Sequence, residues 1–207
     1  MARRQANWFE GWRLLAVLAL TLIALCLWIA GMRQFGVDGS RMVIRFTART
    51  SLLFFCLAFS AAALARLWPN GWTRWQHRNR RHLGVTFAAS HAIHAVAIVC
   101  FAQMDPAGFA AATSAASYIF GGIGYAFIIA MAATSFDRTA AAIGPHAWRV
   151  LYLTGGYYLW FQFMVGFGKR IPDMPIYALF LIPLLAVMAL RLIAMASTRS
   201  ARTVRAG

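Results

Sequence analysis

Acidic side chains are nearly missing: five Asp and Glu stand against twenty Lys and Arg in 207 residues, a net charge of +15. Charged residues of both signs make up only 12% of the chain, about half the share of a soluble domain. A folded chain this poor in charge lacks the polar surface that water demands, so lipid is the solvent it suits. The basic balance alone would admit a nucleic-acid partner. That class is excluded because the apolar runs leave no separate basic domain. Lysine is almost lacking too, with Lys169 the single exception among nineteen arginines. The three cysteines, Cys26, Cys56 and Cys100, have no CxxC spacing and fall inside apolar runs, where cysteine behaves as a small hydrophobe. No GxGxxG, no phosphate-binding loop and no internal repeat is present. Nucleotide or flavin chemistry would have to come from a partner.

What is present is apolar: 61% hydrophobic residues and a mean hydropathy of +0.63. Six segments stand out, at Leu14–Ala30, Thr50–Leu67, Leu83–Gln103, Ala115–Phe136, Trp148–Phe167 and Pro175–Ala196. Each has about 17–22 residues, the length that crosses a hydrocarbon core. Barrel strands would be half as long and alternate in polarity. In lipid every backbone donor must be satisfied within its own segment, so the segments are helices. The fold predicted is an all-α, polytopic membrane helical bundle of about six transmembrane helices, one domain over residues 1–207. The first segment follows Arg3, Arg4 and Arg13 but has no small-x-small cleavage site, and is expected to be a retained helix.

Arginine placement predicts orientation. With the N-terminus inside, fourteen cations fall on the inner side and six outside, which the positive-inside rule favours. Both termini are therefore expected in the cytoplasm. The stretch Arg33–Arg49 runs against this bias and is expected to be a surface turn or a short interfacial helix. Ala61 with Ala65, and Ser117 with Gly121, are small residues four apart that let helices approach. Gly121, Gly122 and Gly124 either pack closely or leave room for a flat macrocycle. Pro183 is expected to kink the sixth helix.

Few polar groups lie in the wrong solvent. Arg66, Arg149 and Arg191 are near cytoplasmic ends and can snorkel. Gln162 is a lone amide in the fifth span. His91 and His94 are the notable pair, about 12 and 16 Å into the third helix and on one face of it. An ionisable side chain inside a span is a functional hypothesis by default. Neutral imidazole ligates haem iron or copper; it can also relay protons or simply be hydrogen-bonded structure. His77 and His82, among Arg78, Arg80 and Arg81, and His146 before the fifth helix suit the inner surface.

The run Arg80-Arg81-His82-Leu83-Gly84-Val85-Thr86-Phe87-Ala88-Ala89-Ser90-His91-Ala92-Ile93-His94 resembles the third helix of ferric-reductase-like transmembrane proteins, especially their haem-binding membrane subunits of the MsrQ (YedZ) type. Trp148-Arg149-Val150-Leu151-Tyr152-Leu153 is similar to that family's His-x-Leu-x-Tyr-Leu segment, and Thr134-Ser135-Phe136 to the Thr-Ser that closes the preceding helix. The resemblance covers about residues 45–170. It implies a b-type cytochrome scaffold with haem b as cofactor and His94 as an iron ligand. It further implies electron transfer across a bacterial inner membrane with a redox partner protein or a quinone. The family's fifth-helix histidines are absent here: Trp148 and Phe161 stand in their places. Candidate second ligands are His91, His146 and His82; Arg80 and Arg81 could pair with haem propionates or lipid phosphates. The competing expectation is a haem-free relative that keeps the fold for membrane assembly or interaction.

Overall fold

The computed structural model describes residues 8–206, with side chains described to Ser197. Arg3 and Arg4 lie outside the described residues, and of Arg199, Arg202 and Arg205 only the backbone is described. The order is α1 (Gly11–Gly31), α2 (Val37–Leu67), α3 (Gly71–Met104), α4 (Pro106–Ala112), α5 (Ala115–Ala133), α6 (Asp137–Gly168), a 3-10 turn (Pro175–Phe180) and α7 (Leu181–Ala206). Among the described residues there is no strand. The chain is an all-α protein, and α1, α2, α3, α5 and the stretch from Pro175 to Ser197 are each long and apolar enough to cross a membrane. The segment Trp148–Phe167 lies within α6. That helix is long enough, but Tyr152, Tyr157, Tyr158, Trp160 and Gln162 lower its apolarity.

The helices outrun the apolar segments that mark them. α2 begins at Val37, so the Arg33–Arg49 stretch is a tight turn followed by the first turns of the span itself. Arg41, Arg45 and Arg49, four apart, share one face, while Ser40, Val43, Thr47 and Ser51 are buried on the other. The turn needs left-handed backbone at Gln34 (φ 53°) and Phe35 (φ 54°). Gly39 then packs on the end of α1, where a Cβ would come 3.1 Å from the Ala30 carbonyl. α3 likewise starts a full twelve residues before Leu83, at a capping box in which Asn70 Oδ1 accepts from the Thr73 amide and Thr73 Oγ1 from the Asn70 amide. Pro183 is only the third residue of α7, where a missing N–H costs no helix bond. The interruption expected there occurs instead just before it, as the 3-10 turn.

The centre is the antiparallel hairpin α2–α3, with α1 lying on both helices and α7 on α2. α5 and α6 form a second hairpin, leaning on α3 through α5 and on α7 through α6. A polar seam joins α2 to α3. Thr47, Ser51, Thr86 and Ser90 are all fully buried, and small residues of this kind let two helices come close and hydrogen-bond in lipid. At the far end of the hairpin Asn79 reaches out of α3 to accept from the Gly11 amide (2.8 Å) and so caps α1. Leu20, Val96, Ile129 and Ile182 face outward, as a lipid-facing belt would.

Candidate functional site

The seam places the histidines. Ser90 Oγ lies 2.9 Å from both Thr50 Oγ1 and Ser51 Oγ and 3.3 Å from the Thr47 carbonyl. These contacts fix the register of α3 on α2, and one turn further on His94 meets the α2 backbone. Its Nδ1 is 3.1 Å from the Ile44 carbonyl and 2.9 Å from Thr47 Oγ1. A carbonyl can only accept, and the Thr47 hydroxyl donates to the Val43 carbonyl at 2.7 Å. The Nδ1 therefore carries the proton, and Nε2 holds a lone pair. That is the tautomer and the outer partner found behind metal-ligating histidines.

His94 and His91 line a partly open cavity of about 580 Å³ between α2, α3, α5 and α6, to which α4 also contributes, within the range of small-molecule and cofactor sites. The two rings are 5.2 Å apart and inclined by 31°. His91 also abuts Tyr125 at 5.4 Å and Phe87 at 5.2 Å. Unlike His94, its Nδ1 is buried without a hydrogen-bond partner. The body of the cavity is apolar, with Phe101, Ile128, Leu159, Phe163 and Phe167. Gly121, Gly122 and Gly166 supply bare backbone, and a Cβ at any of them would meet nothing within 4 Å. Gln162 extends from α6 to donate to the Phe120 carbonyl of α5 at 2.9 Å.

The lining also carries four cations. Arg45, Arg49, Lys169 and Arg170 are exposed and belong to it, and Arg170 donates to Tyr177 Oη at 3.3 Å. Among the described residues the ion pairs are Arg78–Glu10 and Arg81–Asp137, so none of these four cations is neutralised by a carboxylate. Among the described residues no acidic side chain lines the cavity. The lining thus combines apolar walls with positive charge that no carboxylate offsets.

His94 and His91 come together in this cavity; the other expected site residues do not line it. His82 is twelve residues, about 18 Å, back along α3 from His94, edge-on to Trp12 at 5.0 Å. Arg81 is tied to Asp137 at 2.8 Å, and Arg80 is exposed beside His77. His146 is exposed just after the break in α6 at Gly144 (φ 77°) and Pro145. Trp148 stacks on Tyr152 at 4.2 Å, and Phe161 points away, 56% exposed. Sequence reasoning missed the four lining cations and the Thr47 partner of His94. The four-residue spacing of Arg41, Arg45 and Arg49 was the available signal. Compared with protein-family models, curated proteins and solved structures, the chain matches none.

Proposed function

We propose that the protein is a polytopic membrane haem protein of the ferric-reductase-like kind, holding one b-type haem in the His94 cavity for electron transfer. The observation that carries this reading is the state of His94: Nδ1 is anchored on the Ile44 carbonyl, and Nε2 is left with a free lone pair in the wall of an apolar space. The residues present fit the group in three respects. One imidazole is pre-oriented as an axial ligand. The walls are apolar and in part glycine. Four cations stand where carboxylates of an amphiphile would be neutralised. Bound there, a haem supplies one-electron redox chemistry, while the chain supplies the ligand, the orientation and a dry environment that sets the potential.

Topology supports the same reading. Six spans with both termini in the cytoplasm of a bacterial inner membrane would set Arg45, Arg49, Lys169 and Arg170 toward the outer side. Six cations oppose the positive-inside rule in that arrangement, and four of them are Arg45, Arg49, Lys169 and Arg170. Their place in the cavity lining accounts for an exception that topology alone leaves without a reason. A redox partner protein or a quinone would supply or take the electrons.

The test is the visible spectrum of the protein purified in detergent after expression with ample haem, oxidised and dithionite-reduced. A Soret band that shifts on reduction is expected. It should be lost in His94→Ala and kept in His91→Ala, because only His94 has a partner holding its ring. A colourless wild-type protein, or a His94→Ala protein that keeps the full band, refutes the reading and favours a haem-free membrane assembly or interaction protein.

A further inference from the structure

We infer that the cavity binds a small neutral diatomic molecule, of the carbon monoxide, nitric oxide or dioxygen class, beside the group that His94 holds. This rests on the haem reading and specifies what the rest of the cavity does. Haem iron fixed by one protein ligand stays open to an exogenous one, and the polarity and access of the surrounding pocket decide what enters.

Among the described residues the cavity lacks the usual second axial ligands. His91 is three residues from His94 on the same helix, with rings 5.2 Å apart and only 31° from parallel, so it cannot approach from the opposite side. No cysteine, methionine or third histidine among the described residues lines the cavity, and Tyr118 is exposed. The phenol of Tyr177 takes a hydrogen bond from Arg170, and that of Tyr125 is directed to the His91 carbonyl at 3.4 Å. Lys169 is exposed in the lining. The family's own ligand positions carry Trp148 and Phe161, both outside the cavity.

What lines the space instead suits a small uncharged guest. Ile128, Leu159 and Phe163 give it apolar walls, which disfavour anions and water. The bare backbone at Gly121 and Gly122 leaves open volume where any side chain would project. Gln162 is the one side-chain amide in the lining among the described residues; one N–H of its Nε2 serves the Phe120 carbonyl, and the group carries a second N–H that a polarised guest could use.

The experiment is a carbon monoxide titration of the reduced haem-loaded wild-type protein, read as a difference spectrum. One carbon monoxide per haem is expected. Gly121→Leu should bind carbon monoxide about tenfold more weakly per haem retained, by overpacking the open volume. Gln162→Leu should raise the C–O stretching frequency, since it removes a donor. A protein that holds haem but gives no change at saturating carbon monoxide overturns this inference and leaves the haem reading standing, because it must own a second axial ligand. A colourless protein overturns both. Unaltered affinity in a haem-loaded Gly121→Leu protein would remove the glycine wall from the guest's site.

Discussion

Arg191 is the only charged residue in the apolar run Pro175–Ala196, and its stability effect can be worked out from its contacts. Its guanidinium carbon lies 4.0 Å over the Phe59 ring and 5.3 Å from that of Tyr157. Nη1 donates to the Phe59 carbonyl at 3.0 Å, and Nε is buried without a partner. An arginine at the centre of a span costs about 2.5–3.5 kcal/mol on the insertion scale, an upper bound for Arg191, which stands toward the end of its run. Against this stand a charge-assisted hydrogen bond, about 1.5–3 kcal/mol, and the ring contacts, about 0.5–2 kcal/mol. The opposing terms nearly cancel, so Arg191→Met should change stability by no more than about 1 kcal/mol. Phe59→Ala is different. It loses the ring's packing, about 3–5 kcal/mol, and also uncovers the cation, about 1–2 kcal/mol more. The second loss exists only while Arg191 is present. Reversible unfolding of wild type, both single variants and the double variant in mixed micelles should therefore show that Phe59→Ala costs about 1–2 kcal/mol less in the Arg191→Met background. The stacking of Phe59 on Phe55 at 5.0 Å is lost in both backgrounds and cancels. Additivity within about 0.5 kcal/mol would refute the view that these rings shelter the charge.

Two glycines of α6 should part company. A Cβ at Gly155 would stand 2.7 Å from Met131 Sδ and 3.0 Å from a Phe127 ring carbon, so Gly155→Ala should destabilise the α5–α6 hairpin by about 1–3 kcal/mol. Gly166→Ala meets nothing within 4 Å and should be neutral or gain up to about 1 kcal/mol from helix propensity; thermal unfolding in detergent compares them. Two buried amides of α3 should differ as well. Gln76 donates to the Leu57 carbonyl and Ser60 Oγ, its own Oε1 has no partner, and Ser60 is already bonded to the Cys56 carbonyl. Gln76→Met thus strands no group and should shift stability by less than about 1 kcal/mol. Asn79→Leu strands the Gly11 amide and should cost about 1–3 kcal/mol, with faster proteolysis of α1 as a second readout. Finally, Arg49→Gln with Arg170→Gln should lower haem retention through a desalting column while leaving the reduced spectrum of the remaining haem unchanged; full retention would separate the lining cations from ligand binding.

The apolar runs locate the spans because hydrocarbon imposes helix on any segment that enters it. They do not show how far each helix extends. In α2 the first turns carry Arg41, Arg45 and Arg49, and in α3 Arg74, Arg78, Arg80 and Arg81. A hydropathy average sees these as surface, although Val43, Thr47, Gln76 and Asn79 on the opposite faces are buried. Periodicity within a polar stretch, rather than its mean, carries that information. Proline and a positive φ break α6 at Gly144–Pro145, just before Trp148, a break that mean hydropathy does not register.

The histidines and the cations of the cavity differ in visibility for one reason. Lipid makes a mid-span imidazole conspicuous, because nothing but a partner or a function excuses its cost. Lys169 and Arg170 lie at the end of α6, and Arg45 and Arg49 precede the apolar run Thr50–Leu67, where snorkelling to the interface accounts for any arginine or lysine. A one-dimensional reading therefore has no ground for treating them as more than topology signals. They acquire meaning only when α2 and α6 bring all four into the lining of the cavity that His94 also lines. The same holds for Thr47, an unremarkable hydroxyl until α3 settles on α2 and its oxygen lies 2.9 Å from Nδ1. Thr47→Val would leave the Ile44 carbonyl as the only anchor of that ring. If the anchor sets the ligand's basicity, the variant should keep its haem and shift its reduction potential. An unchanged potential in a redox titration would reduce Thr47 to helix packing.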